Sequence, residues 1–398
     1  METLNNLDKI QKELQTRGVD AWVLPDYRGS NEIFSALVGG SFFMTRRAAL
    51  LIPSKGEPIA LIHIIDKPQF APASEMFDVE YYRTWEEHAA WFEKKLSPLK
   101  KVVTEYSPDN AIPTMSQVDG GMIDILRKYV EVESSADVYQ KSVSAWTLED
   151  YEGHKKSVEQ TVASLRSALE FIRTSLNEGT QITETDVQDH LVAQFDSRGL
   201  VIDHPPIVAV SPNNGDPHYD PQSEKNTVIT KDNLVLIDLW AKFAQGDCVF
   251  ADITWMSYFG EKIPEKVVEV FNVVRDARNA AINFVKENIA SGTSIQGFQV
   301  DDVSRKIIVD AGYGDYFLHR TGHSMGPGNF LHARGVNIDN FETHDEREIT
   351  SSVGFSIEPG IYLPEFGIRS EVDVFVHPTE GAIVTTPLQE EIEHFTLD

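Results

Sequence analysis

The sequence predicts an α/β domain followed by a larger α+β domain, and three observations predict it. Up to about residue 148, short apolar strands alternate with short helices. Beyond that point long amphipathic helices alternate with apolar strands. Carboxylates and histidines gather at strand ends and loops of the second part. The expected domains are residues 1–148 and 149–398.

In the first part, Leu4, Leu7, Ile10 and Leu14 share one helical face, and Gly18 follows as a stop. Residues 21–24 read as a buried strand closed by Pro25. Residues 48–52 and 59–65 are two more apolar runs, joined by Pro53-Ser54-Lys55-Gly56-Glu57-Pro58 as a hairpin turn. Residues 119–129 read as a helix. In the second part, Val158, Val162, Leu165, Leu169, Ile172 and Leu176 step by four and three along one helix. Thr185-x-x-Gln188 reads as a capping box opening a second helix, with Gly199 at its C-terminal stop. Pro264 suits the first turn of a third helix, and residues 301–311 form a fourth, stopped by Gly312. Strands are expected at 207–210, 234–238, 249–255, 354–358 and 371–376.

Composition narrows the function classes. A net charge of −27 repels phosphate backbones, so a nucleic-acid partner is not expected. No apolar run is long enough to span a bilayer, so no membrane partner is expected either. Cys248 is the single cysteine, which rules out an intrachain disulfide. With an N-terminus that has neither the basic head nor the apolar core of a signal peptide, this points to the cytoplasm.

The candidate chemistry lies in three places. Asp238 ends the apolar run Leu234-Val235-Leu236-Ile237, and Asp252 interrupts a second run. A carboxylate in a buried strand is costly unless a cation or hydrogen bonds compensate. Gln245-Gly246-Asp247 offers a turn that would pair the two strands antiparallel and bring the carboxylates together. The alternative is two unrelated strand-end aspartates. In His319-Arg320-Thr321-Gly322-His323, the glycine argues for an irregular loop rather than a helix, and a polar loop with incidental histidines is the alternative. Glu358 ends a strand at Pro359-Gly360, and Glu371 opens the next strand behind Arg369, where a hairpin with unrelated charges is the alternative. Two aspartates, one histidine and two glutamates form an oxygen-rich ligand set that suits Mn²⁺, Zn²⁺ or Co²⁺.

Asp, Asp, His, Glu, Glu in this order resembles the signature of the pita-bread metallopeptidases, the group of creatinase, prolidase, aminopeptidase P and methionine aminopeptidase. Flanking words match as well: Ala251-Asp252-Ile253-Thr254, Ile357-Glu358-Pro359-Gly360-Ile361-Tyr362 and Arg369-Ser370-Glu371. The resemblance covers the whole chain. It implies a creatinase-like N-terminal α/β domain and a pita-bread catalytic domain, acting as an Xaa-Pro peptidase of the aminopeptidase P or prolidase type. It further implies two divalent ions per chain, Mn first with Zn or Co as alternatives, held by Asp238, Asp252, His323, Glu358 and Glu371. Asp252 and Glu371 would bridge the ions, and a metal-bridging hydroxide would attack the scissile carbonyl.

The resemblance also assigns roles around the metals. Glu358 would shuttle the proton, and His218 and His332 would stabilise the charge that develops on the carbonyl oxygen. His218 and His319 would contact substrate, and Arg369 would hold Glu371 in place or meet a substrate carboxylate. A homodimer and a peptide substrate with proline second complete the expectation.

Several positions depart from the family pattern. Asp238 and Asp252 stand farther apart in sequence than usual, and the tryptophans Trp240 and Trp255 flank them, adding bulk near the pocket. The stretch from His323 to His332 is also lengthened, with Pro327-Gly328-Asn329-Phe330 as the insertion. A non-catalytic scaffold, a creatinase-like hydrolase without metal and an aminopeptidase without proline specificity are the competing readings. The complete ligand set argues against the first two.

Overall fold

The computed structural model describes all residues except 1–5, 40–43, 72–76, 223–225, 247, 329–330 and 398. Leu4, Asp247, Asn329 and Phe330, invoked above, lie outside the described residues. The chain divides into two compact units, Met1–Ser144 and Ala145–Asp398.

The first unit runs α1 (Leu7–Thr16), β1 (Ala21–Tyr27), α2 (Glu32–Leu37), β2 (Arg47–Pro53), β3 (Ile59–His63), α3 (Lys67–Phe70), β4 (Asp78–Tyr82), α4 (Trp85–Leu96), β5 (Lys101–Thr104), α5 (Gly120–Arg127), β6 (Glu131–Ser134) and α6 (Ala136–Ser142). Its sheet has the order β4-β3-β2-β1-β5-β6. Successive residues of β1 supply both apolar layers. Trp22 and Leu24 enter one core cluster, and Ala21 and Val23 enter the other. Pro25 does not close β1 as expected. At that point β1 has left β5 and pairs only with β2, opposite Ala49, so the missing N–H breaks no ladder.

The second unit opens with α7 (Leu148–Glu178), β7 (Ile182–Thr183), α8 (Glu184–Ser197), β8 (Leu200–Val201), β9 (Ile207–Val210), β10 (Val228–Ile229), β11 (Asn233–Phe243) and β12 (Ala251–Phe259). It continues with α9 (Glu265–Ser291), α10 (Gly297–Asp310), β13 (Ser324–Met325), β14 (Gly354–Ile357), β15 (Gly360–Tyr362), β16 (Gly367–Arg369), β17 (Val372–His377), β18 (Gly381–Val384) and β19 (Glu393–Phe395). The capping box of α8 is Thr183 with Asp186, two residues before the expected Thr185 and Gln188. Gln188 is buried instead, with its Nε2 donating to the Pro206 carbonyl at 2.8 Å. The last helix starts four residues before Asp301, and Pro264 stands just outside α9.

β11 and β12 form an antiparallel pair whose two faces have different fates. Ile237, Leu239, Ile253 and Trp255 pack against α7 and α8. On the other face, Leu234, Leu236, Met256 and Tyr258 meet the apolar stripe of α9. Further along that second face the stripe ends, and Asp238, Trp240, Asp252 and Thr254 take its place. Trp255 therefore lies on the face opposite the aspartates, in the core, and adds no bulk near them. Its Nε1 donates to Glu393 at 2.6 Å. Trp240 does share their face, paired with Asp252 in register.

Candidate metal centre

The register Asp238↔Thr254 and Trp240↔Asp252 places the two aspartates diagonally on one face of the pair. The glutamates are placed by a break in a ladder. β14 pairs with β17 from Gly354↔Phe375 to Ile357↔Val372, and β15 pairs with β16 in the same register from Gly360↔Arg369 to Tyr362↔Gly367. In the gap between them, Glu358 stands opposite Glu371. The backbone N–H of Glu358 is diverted to the Thr321 carbonyl at 2.7 Å, and Pro359 has no N–H to give. This break keeps both carboxylates at one point of a buried sheet.

His323 arrives on the segment leading into β13. Its N–H donates to Ser356 Oγ at 2.9 Å, and the Ser356 N–H returns to the His323 carbonyl at 2.9 Å. Ser356 Oγ donates in turn to Glu358 Oε1 at 3.1 Å. The imidazole Nδ1 donates to the Ser324 carbonyl at 3.1 Å, which leaves Nε2 with a lone pair. Nε2 lies 3.2 Å from Asp252 Oδ2 and 3.6 Å from Glu358 Oε1. Lone pairs facing one another at these distances call for a cation or a proton between them. Ligand atoms of Asp252, His323 and Glu371 all fall within 4.8 Å of one another.

The electrostatics point the same way. Burial, and then the charges of Glu371 and Asp238, pushes Asp252 well above the usual carboxylate range. Glu371 is pushed well up by burial and by Glu358 and Asp238. Burial lifts Glu358 to about 7. Burial, with the neighbouring His332, drives His323 well below its ordinary value, so the imidazole is neutral and free to act as a ligand. Asp238 is raised by burial against the pull of Arg369, and its Oδ1 is buried with no hydrogen-bond partner among the described residues. Four crowded carboxyls, an orphaned oxygen and an imidazole lone pair fit a site for divalent cations.

Arg369 reaches Glu371 through Thr254. Its Nη2 pairs with Asp238 Oδ2, and its Nε donates to Thr254 Oγ1 at 3.0 Å. The Thr254 hydroxyl then donates to Glu371 Oε2 at 2.8 Å. Nη1 donates to Tyr362 OH at 3.0 Å and to the carbonyl of Pro217, the residue before His218, at 3.3 Å. His319 is half-buried beside Tyr362. Its Nδ1 donates to the Arg320 carbonyl at 2.7 Å, and its Nε2 accepts from Tyr362 OH at 2.7 Å, so both ring nitrogens are engaged. The His332 ring lies 4.0 Å from that of His323. His218 is exposed, one residue after the Pro217 carbonyl that Arg369 holds.

Sequence reasoning missed Thr254, Ser356 and Tyr362 as the hydrogen-bonding frame of the ligands. Thr254 and Tyr362 lie inside the quoted motif words, Ser356 stands one residue before one of them, and period-two alternation puts Thr254 on the Asp252 face.

Comparison with known proteins adds the following. The family described as Metallopeptidase family M24 matches residues 152–378. A Xaa-Pro dipeptidase of Lactobacillus delbrueckii subsp. lactis is 31% identical over 222 residues, 54% of this chain and 53% of that one. The crystal structure of a prolidase from Thermococcus sibiricus superposes with a TM-score of 0.66 at 22% identity, covering 99% of both chains. An X-prolyl aminopeptidase from Caenorhabditis elegans, described as a cytosolic enzyme with a di-nuclear active site, gives 0.68 at 18% identity over 98% of this chain and 63% of that one. At these identities the two structures bear on fold alone, an N-terminal α/β domain followed by a pita-bread α+β domain.

Proposed function

Because the chain belongs to metallopeptidase family M24, we propose that it hydrolyses the peptide bond in front of a proline, as an aminopeptidase P or a prolidase does. Two divalent ions, Mn first and Zn or Co next, would be held by Asp238, Asp252, His323, Glu358 and Glu371. What supports this most is the neutral His323 Nε2 facing the Asp252 and Glu358 carboxyls at 3.2 and 3.6 Å with no proton donor of its own. Bound ions would supply a water acidic enough to attack at neutral pH and would polarise the scissile carbonyl.

The chain's own residues would do the rest. Glu358, beside the proposed ions and the attacking water, would take the proton of that water and return it to the leaving nitrogen. His218 and His332 would donate hydrogen bonds to the carbonyl oxygen as it becomes negative. Arg369 would keep Asp238 ionised and hold the backbone beside His218. Proline selectivity has a geometric basis. Proline offers no N–H and fixes φ, so a site that draws its specificity from histidines on the carbonyl tolerates what ordinary peptidases reject. The reading extends to a cytoplasmic homodimer.

The test is a comparison of Xaa-Pro dipeptides, Xaa-Pro-Xaa peptides and their alanine counterparts, with Mn²⁺ and after chelation. Cleavage confined to the proline peptides, lost on chelation and restored by Mn²⁺, is the expected outcome. Equal cleavage of the alanine peptides would overturn the proline specificity, and activity unaffected by chelation would overturn the metal reading.

A further inference from the structure

Among the described residues, no strand pairs with β12 beside Asp252 on the edge that faces away from β11. β19 pairs with β12 only from Ser257 onward. Side chains take the place of the missing strand. The Asp252 N–H donates to Asp373 Oδ2 at 2.9 Å, and two residues earlier the Phe250 carbonyl accepts from His154 Nδ1 at 2.8 Å. Gln389 performs the same service at Met256, with its Oε1 on the N–H at 2.9 Å and its Nε2 on the carbonyl at 2.7 Å.

Asp373 and His154 are both fully buried. His154 is fixed from behind by Thr385 Oγ1 at 2.7 Å, and the Asp373 N–H is held by Thr386 Oγ1 at 2.8 Å. Since the Phe250 carbonyl can only accept, His154 carries its proton on Nδ1, and its Nε2 accepts from the Thr385 hydroxyl and lies 3.8 Å from Asp373 Oδ2. Asp373 Oδ1 has no hydrogen-bond partner among the described residues. A carboxyl kept buried with one oxygen unsatisfied is unfavourable for packing alone. What it supplies is an acceptor for the one backbone N–H that sets where the Asp252 side chain leaves the strand.

We propose that Asp373 and His154 are positioning residues that hold the backbone leading into Asp252, at its N–H and at the Phe250 carbonyl, and so set its carboxylate for metal binding. The inference rests on Asp252 being a metal ligand. Its test is calorimetric titration of Mn²⁺ into the metal-stripped full chain, wild type against Asp373→Val, Asp373→Asn and His154→Leu, with melting of each metal-free protein alongside. Asp373→Val is expected to weaken Mn²⁺ binding by about 10–100-fold, the usual effect of losing such a supporting contact, while Asp373→Asn, which keeps the acceptor, stays within about threefold of wild type. A purely architectural role would lower the melting temperature of the metal-free valine variant and leave its Mn²⁺ affinity alone, and that result overturns the proposal. So does an asparagine variant as weak as the valine one. Should Asp373→Val fail to fold, His154→Leu decides: unchanged Mn²⁺ affinity overturns the proposal and weakened affinity supports it. A wild-type chain that binds no Mn²⁺ refutes instead the assignment of Asp252 as a ligand.

Discussion

Three side-chain donors, Trp22 Nε1, Asn31 Nδ2 at 2.7 Å and Ser135 Oγ at 3.1 Å, converge on the fully buried carboxyl of Glu105. Burial raises that carboxyl to about 7, against the pull of these hydrogen bonds. The direction of the stability effect follows. The folded chain holds the Glu105 proton more tightly than the unfolded chain, whose ordinary value is 4.5. The contribution is therefore complete below pH 4.5 and is lost as pH rises to about 7, by up to about 3 kcal/mol. Glu105→Gln mimics the protonated group and removes this share of the pH dependence. In urea unfolding at pH 4.5 and pH 8, the wild type should lose more stability between the two conditions than the variant. Parallel losses would mean that the buried carboxyl is already ionised at the lower pH.

Among the elements, the site depends on how closely the His323 segment approaches β14. A Cβ on Gly322 would stand 2.0 Å from the Ser356 carbonyl oxygen, a backbone atom that cannot swing aside. Gly322 is also bridged to Ile338 through both its N–H and its carbonyl, at 3.1 and 3.0 Å. Gly322→Ala should therefore destabilise the fold by about 1–3 kcal/mol and shift His323 away from Asp252. Thermal melting and Mn²⁺ titration would measure the two effects, and a variant that melts and binds like wild type would contradict the close approach. The sequence made the strands that carry Asp238 and Asp252 legible, because apolar runs ending in carboxylates have few other uses. It made the face of each residue legible too, yet the expectation placed both tryptophans near the pocket. Alternation separates them, since Trp240 lies two residues from Asp238 and Trp255 three from Asp252. The end of a strand at Glu358 was legible from Pro359-Gly360, but the diversion of its backbone that separates β14 from β15 was not. It depends on the Thr321 carbonyl, a partner far away in the chain, capturing the Glu358 N–H. The shift of the α8 cap has a simpler cause: Thr183-x-x-Asp186 and Thr185-x-x-Gln188 both fit the pattern, and burial of Gln188 against Pro206 decides between them.

Across the whole molecule, the charge of −27 makes cation binding a question of stability as well as of catalysis. All five proposed ligands belong to Ala145–Asp398. Without cations that unit must keep its crowded carboxyls protonated or repelling one another, which is what the raised values of Asp252, Glu358 and Glu371 express. Cations that bind only the folded unit stabilise it by mass action, by about 2.7 kcal/mol at a hundred times the dissociation constant. Met1–Ser144 has its own sheet and its own apolar clusters, and contributes none of the proposed ligands. Hydrogen exchange read by mass spectrometry should thus show Mn²⁺ slowing exchange in β11, β12, β14 and β17 while leaving β1, β2 and β5 at their metal-free rates. Equal protection of both groups of strands would show that the units open in one cooperative step, and no change in either would remove the metal from the ligands assigned to it.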